Sequence, residues 1–364
     1  MDKPTFPSFH VKLDPSDYEP AAIAQKESLN IMRKSQSFWR EGFGRLIRNK
    51  IAMASLFVII LFIIGAFIVP SFYPYSYEQQ VRGSENLKPL KYSAAELERK
   101  ASGEFVFPHL MGTDQLGRDS MIRLLMGSRI SLLVGIIASG IILFIGSLYG
   151  AVAGYFGGNT DLIMMRIVDI IYTVPDILII ILLAVTLKFP LRSLADNVKG
   201  FSWINTIGVP LICIFITFSL LYWVGMSRIV RAQILSLKQQ EYITAARALG
   251  ASNGRIIRRH LLTNSIGTLI VTTTLQIPSS IFTESFLSFL GLGVAAPMPS
   301  LGSMASDALT GMRSYPHRLF AAAIMICLLI LSFNLLGDGL RDAFDPKLKQ
   351  GEEGPGAGGI KEEE

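Results

Sequence analysis

Residues 51–69 read Ile51-Ala-Met-Ala-Ser-Leu-Phe-Val-Ile-Ile-Leu-Phe-Ile-Ile-Gly-Ala-Phe-Ile-Val69, nineteen residues without an Asp, Glu, Lys or Arg. A helix apolar on every face belongs in a membrane or deep in a large core, and a bilayer interior of about 30 Å takes roughly 20 such residues. The pattern recurs. Residues 130–160, 200–227, 260–283 and 319–337 are equally free of charge, and 167–187 is interrupted only by Asp169 and Asp176. Six spans follow, with the start of the fourth blurred by Gly208 and Pro210. The fold class is all-α, a polytopic membrane protein. Composition agrees: half of the 364 residues are hydrophobic and 17% are charged, where soluble chains carry about 25%.

The fifty residues ahead of residue 51 argue against a cleaved signal sequence, whose basic region sits near the start. Cys213 and Cys327 both fall inside spans, so apolar packing is expected of them rather than a disulfide.

Loop charge sets orientation, because Lys and Arg collect on the cytoplasmic side. Arg40, Arg45, Arg48 and Lys50 precede the first span. The loop 225–262 carries Arg228, Arg231, Lys238, Arg247, Arg255, Arg258 and Arg259 against Glu241 alone. With six spans these regions share a side with Lys347 and Lys349, so both termini are expected in the cytoplasm. The balanced loop 71–128 falls outside. The mildly basic stretch from Lys188 to Lys199 dissents and is outvoted.

Residues 1–37 are polar with scattered prolines and are expected to be a loosely ordered cytoplasmic segment. Residues 38–50 place Phe38, Trp39, Phe43, Leu46 and Ile47 roughly on one helical face with arginines opposite. Two readings stand: an amphipathic helix in the headgroup layer, or an extension of the first span. The membrane-spanning body is expected to run 51–347. The Gly- and Glu-rich tail 348–364 is expected to be disordered and acidic. Near the end of the outer loop, Thr113 or Asp114 is expected to cap a helix whose apolar side is Leu116, Ile122, Leu125 and Met126, resting on the outer surface before the second span.

No stretch of this chain reads Gly-x-x-x-x-Gly-Lys-Ser/Thr, so it shows no phosphate loop of its own. His10, His109, His260 and His317 stand at no metal-ligand spacing, so no metal site is expected. No Ser/His/Asp or Cys/His constellation marks an enzyme. The informative loop sequence is Glu241-Tyr-Ile-Thr-Ala-Ala-Arg-Ala-Leu-Gly250-Ala-Ser-Asn-Gly254-Arg-Ile-Ile-Arg-Arg-His260. It is too short and charged to span. Its small residues Ala245, Ala246 and Gly250 suit either close approach by a partner or packing against the chain's own spans. Gly250 is expected to end the first helix in a left-handed conformation.

Ala245-Ala246 followed by Gly250, then Arg259-His260-Leu-Leu-Thr-Asn264, resembles the coupling loop of ATP-binding-cassette importer permeases. The C-type permease subunits of dipeptide, oligopeptide and nickel importers are the nearest match. Three further stretches agree: Gly112-Thr-Asp-Gln-Leu-Gly-Arg-Asp119; Glu284-Ser-Phe-Leu-Ser-Phe-Leu-Gly-Leu-Gly293 with Pro297 and Pro299; and Asn334-Leu-Leu-Gly-Asp-Gly-Leu-Arg-Asp342 with Asp345-Pro346. Together they cover roughly residues 105–347. Where the family usually has Glu before the two alanines this chain has Thr244, and where it has Pro before the Asn this chain has Thr263. Glu241, one turn earlier, is then the acidic group left to make that contact.

The resemblance implies a type I ABC importer permease fold in a bacterial or archaeal plasma membrane. It also implies a heterodimer with a homologous second permease, two cytoplasmic ATPase subunits, an extracytoplasmic solute-binding protein, and no nucleic acid. ATP and Mg would be bound by the ATPases, with no cofactor in this chain. Coupling would fall to Glu241, Thr244, Ala245, Ala246, Arg247, Gly250, Ala251 and Arg255. Asp176, after Pro175, and Glu284 are candidates to line the path, since intramembrane carboxylates are costly unless they face protein or water. Asp169, nearer the span's end, can reach the interface instead. Pro175 and Pro278 are expected to kink their spans. Peptides are the expected cargo, with nickel or another small solute as the alternative. A self-sufficient channel or secondary transporter is the rival of another class. It would favour inverted repeats, and no internal repeat stands out.

Overall fold

A computed structural model describes residues 38–344, apart from 199 and 295. The polar N-terminal segment, Asp345-Pro346, the two C-terminal lysines and the acidic tail lie outside the described residues. Six helices are long and apolar enough to cross a membrane: Lys50–Phe72, Ser120–Phe156, Asp176–Asn197, Val209–Leu237, Ile266–Phe289 and Pro316–Phe344. Among the described residues there is no strand, only isolated bridges pairing Lys91 with His109 and Thr113 with Asp119.

Each span overlaps its charge-free run, and three of the changes have a direct physical reason. The third span begins at Asp176, not at 167. Pro175 cannot continue a helix and holds Val174 extended, at ψ 134°, as residues before proline prefer. The first part of that run therefore belongs to a separate helix, Gly158–Thr173, and Asp169 sits on it. The fifth span begins six residues later than the charge-free run, at Ile266, because 256–264 is used for a π-helical turn and a short helical turn. It passes unbroken through Pro278.

The third change corrects the expected outer helix. Thr113 and Asp114 cap nothing there. Asp119 is the N-cap, its carboxylate accepting from Ile122 N at 3.0 Å, and the helix it starts is the second span itself, 37 residues long. Gly112 and Gly117 stand at φ +73° and +69°, which a helix cannot contain. Both lie so close to Leu87 O and Val81 O that a Cβ would come within 2.2 Å. Ile122 and Leu125 are buried in the second span, whereas Leu116 is exposed on the turn.

At about 1.5 Å per residue the second span exceeds the bilayer interior by roughly 25 Å. It is also the best buried of the six: half of its most apolar window is inside the protein, against 11% for the third. The second is therefore the central helix and the third a peripheral one. It packs most closely on the fourth through Gly146, Gly150 and Gly154. Cβ atoms at these positions would meet Met226 Cβ at 2.6 Å, Ser227 O at 2.3 Å and Arg231 O at 2.9 Å. Small residues four apart let two backbones touch, which substitutes for the hydrophobic drive that lipid removes.

Beyond the first span, residues 73–119 form a compact loop around buried His109. Its Nδ1 lies 2.7 Å from Asp119 Oδ2 and its Nε2 3.0 Å from Glu96 Oε1, with Tyr75 stacked on the ring. Burial opposes protonation of the imidazole, but the flanking Asp119 and Glu96 outweigh it and hold its pKa above the ordinary value. Glu96 is fixed by a capping box with Ser93. Burial and neighbouring Glu96 and Asp119 push the Tyr75 phenol up to about 12.

At the other end of the chain, Phe38–Arg48 forms its own helix. Asn49 separates it from the first span and caps the latter, accepting from Ile51 N and Ala52 N, so it is not a plain extension. Leu46 packs with Ala52, Ala343 and Phe344.

Candidate functional site

The fourth span ends at Leu237, and the turn Lys238–Gln240 leads into the helix Glu241–Ala248. That helix stops where Gly250 takes φ +78°. Gly250 N donates to Arg247 O at 2.9 Å and Ala251 N to Ala246 O at 3.0 Å, the paired bonds of a Schellman end. The chain then turns through Asn253–Arg255 and the π-helical Ile256–Leu261 into the fifth span.

One face of this helix–Gly–helix is anchored. Ile243 is wholly buried, as are Ile256 and Leu261, in a cluster with Ile142, Ala151, Tyr155, Val230 and Ile234 from the second and fourth spans. Burying Ile243 alone contributes about 1.5–3 kcal/mol. Tyr155, at the end of the second span, is the joint. Its hydroxyl donates to Asn253 Oδ1 at 2.7 Å, and the guanidinium of Arg247 lies over its ring at 5.3 Å. Asn264 Nδ2 donates to Tyr242 Oη at 3.1 Å, closing the loop.

The other face is open. Glu241, Thr244, Ala245, Arg247, Gly250 and Arg255 are exposed, and Ala246 and Ala251 are half-buried. Leu249 is 88% exposed, an apolar side chain held out beyond Ala245 and Gly250 with nothing over it among the described residues. The structure therefore brings the eight residues singled out above into one element. Three of them, Ala246, Arg247 and Ala251, are partly engaged in holding it.

Ile243, Leu249, Tyr155 and Asn253 were missed by the sequence reading. Ile243, Ile256 and Ile257 carried a usable signal, as apolar residues in an otherwise charged loop. Tyr155 carried none, since it meets Asn253 across 98 residues.

The helix Gly158–Thr173 is tied to the fourth span beside this loop. Arg231 makes a two-pronged pair with Asp161, both bonds 2.5 Å, and Arg228 reaches Asp169 at 2.8 Å while lying over the Tyr172 ring. Asp169 is thus ion-paired while its carboxylate stays exposed.

The two candidate path carboxylates are placed very differently. Asp176 is exposed at the start of the third span and lines a cavity of about 440 Å³ with Tyr172, Tyr222 and Gly225. Glu284 is 0% exposed. Its carboxylate accepts from Ser131 Oγ at 2.8 Å and Ser288 Oγ at 2.7 Å, with Ser285 Oγ at 3.4 Å. Gly302, whose Cβ would lie 2.0 Å from Ser285 O, seals the same junction. Glu284 faces packed protein that joins the second and fifth spans.

Comparison with known proteins gives a consistent picture. Residues 146–350 match the family described as binding-protein-dependent transport system inner membrane component. Residues 37–89 match the N-terminal TM domain of oligopeptide transport permease C. The chain is similar to the oligopeptide transport system permease protein OppC of Bacillus subtilis (strain 168), 41% identical over 333 residues, 92% of this chain and 97% of that protein. It is also similar to the dipeptide transport system permease protein DppC of the same strain, 42% identical over 326 residues, 89% of this chain and 91% of that protein. The glutathione transport system permease protein GsiD of Pectobacterium atrosepticum is 36% identical over 311 residues, 85% of this chain and 92% of that protein.

Proposed function

Since the chain belongs to the family of inner membrane components of binding-protein-dependent transport systems, we propose that it is the C-type permease subunit of a peptide importer driven by separate ATPases. It is a multi-pass protein of the plasma membrane, and its work is transport. Its relatives carry the names of oligopeptide, dipeptide and glutathione systems. Glutathione is itself a tripeptide, so short peptides are the cargo this reading favours over nickel.

The observation that carries the reading is the open, rigidly seated helix Glu241–Ala248. In this proposal two ATPase subunits grip its exposed face, Leu249 entering a groove and Arg247, Arg255 and Glu241 ringing it. ATP and Mg sit in those subunits. Their closure pushes the helix. Because Ile243 and Tyr155 root it in the second and fourth spans, the push moves the helices themselves rather than a slack loop. The spans then rock against a homologous second permease, with the path between the two chains and Asp176 in the cavity beside it. A solute-binding protein delivers the peptide at the opposite end of the bundle. In this reading loop 225–262 and both termini lie in the cytoplasm.

Gly250→Val tests the coupling role. A branched side chain is strained at φ +78°, and it alters the turn that presents Leu249. Peptide uptake is expected to fall steeply while membrane insertion persists. Full uptake by this variant refutes the role given to Gly250. Purification from native membranes should bring down a second permease and two ATPases, and a chain that comes out alone would instead favour a self-sufficient transporter.

A further inference from the structure

At the end of the bundle away from the Glu241–Ala248 helix, a cavity of about 220 Å³ lies between the 111–123 segment, the helix Leu301–Leu309 and the start of the sixth span. It has room for several waters or a small organic acid. Its charged lining is Arg118, Arg123 and Arg318 against Asp114 and Asp307, with His317 beside them. Arg118 is matched, its Nε donating to Asp114 Oδ2 at 2.6 Å. Arg123 is not. Only 4% of it is exposed, yet its nearest carboxylate oxygens are at 3.6 Å on Asp114 and 3.8 Å on Asp307, beyond hydrogen-bond reach. Its buried Nη1 has no hydrogen-bond partner among the described residues, and neither do Arg318 Nε or His317 Nε2. The other end of Arg318 is held by Asn86, Nη2 to Oδ1 at 2.8 Å.

A buried guanidinium without hydrogen bonds is costly, and a buried charge is retained only when something completes it. Three cations face two anions, so one negative charge is missing. The planar fork of Arg123 matches a carboxylate's two oxygens, and Arg318 and His317 line the same cavity from the sixth span. The geometry points to a carboxylate-binding site in this cavity, with Arg123 as its main contact and Arg318 as a flanking donor. The carboxylate is that of a small free organic acid or the C-terminus of a short peptide. The site stands apart from the coupling reading and does not depend on it.

The test uses the full chain in lipid nanodiscs with whatever subunits co-purify, titrated calorimetrically with acetate, succinate, trialanine and trialanine C-terminal amide. Saturable binding of a carboxylate is expected, and it weakens about tenfold or more in Arg123→Gln, as loss of a charged hydrogen-bond pair implies. Arg123→Lys keeps the charge and loses the fork, so it falls between. Ala308→Met fills the cavity without changing charge and removes binding, which covers the case in which the arginine variant folds poorly. Tighter binding of trialanine than of acetate, lost on amidation, identifies the peptide terminus as the source. Equal binding of acetate and trialanine identifies a free acid. No saturable binding by wild-type protein, equal binding by chloride, or wild-type affinity in both Arg123→Gln and Ala308→Met overturns the assignment.

Discussion

Replacing Gly150 with alanine tests whether the close contact of the second and fourth spans governs both stability and coupling. The added Cβ would lie 2.3 Å from the carbonyl oxygen of Ser227 and 3.0 Å from Arg231 N. A comfortable C···O approach is about 3.3 Å, so the helices must separate by roughly 1 Å. The obstacle is backbone on a long helix, so no side chain can swing aside. Overpacking of this kind costs about 1–3 kcal/mol, partly offset by the better helix propensity of alanine, near 1 kcal/mol.

Gly140 is the internal control. It lies on the same helix, and a methyl group added there would meet nothing within 4 Å, so Gly140→Ala should be neutral or slightly stabilising. The propensity gain is common to both variants and cancels, so they should differ by the overpacking cost of about 1–3 kcal/mol, or a few degrees in a thermal melt of the detergent-solubilised protein. Tyr155 is five residues beyond Gly150, so the displacement also shifts the joint with Asn253, and uptake should fall further than stability explains. If Gly150→Ala and Gly140→Ala melt together, the spans are not held by this contact and the reasoning fails.

Glu284→Ala should destabilise the chain by about 2–4 kcal/mol, since the hydroxyls of Ser131 and Ser288 lose a buried acceptor. Glu284→Gln keeps an acceptor and should cost less, and equal melting of the two would show that the carboxylate does not join the spans. Tyr155→Phe removes the bond to Asn253 but keeps the ring under Arg247. Uptake should drop modestly at unchanged expression, whereas Tyr155→Ala should abolish it. The 73–119 loop should loosen as pH rises. The folded pKa of His109 is raised above its unfolded value, so its contribution is complete below the ordinary imidazole pKa of about 6.5 and is lost as pH climbs through the folded value. Amide-exchange protection factors in this loop, which remove the intrinsic rise of exchange with pH, should fall across that range in wild type and stay flat in His109→Gln.

Much of the architecture was written in the sequence because the cost of placing charge in lipid acts residue by residue. Charge-free runs therefore counted the spans at 51–69, 130–160, 200–227, 260–283 and 319–337 without reference to what each touches. Gly250 was legible for a related reason: a helix end is decided within one turn, and its positive φ follows from local backbone sterics. The break at Pro175 is equally local, yet the run 167–187 reads as a single span because hydropathy ignores the missing N–H.

Only the tertiary structure decided which face of each helix meets which neighbour. Gly146, Gly150 and Gly154 are spaced for close packing, but nothing in the spacing says that the fourth span fills it. Glu284 reads as an intramembrane acid, and whether it meets substrate or a ring of serines depends on Ser131, 153 residues away. Arg231 finds Asp161 across 70 residues and Tyr155 finds Asn253 across 98. A lipid-exposed face and a partner-facing one have the same composition, so hydropathy determines that a helix spans, while packing alone determines what each of its sides does.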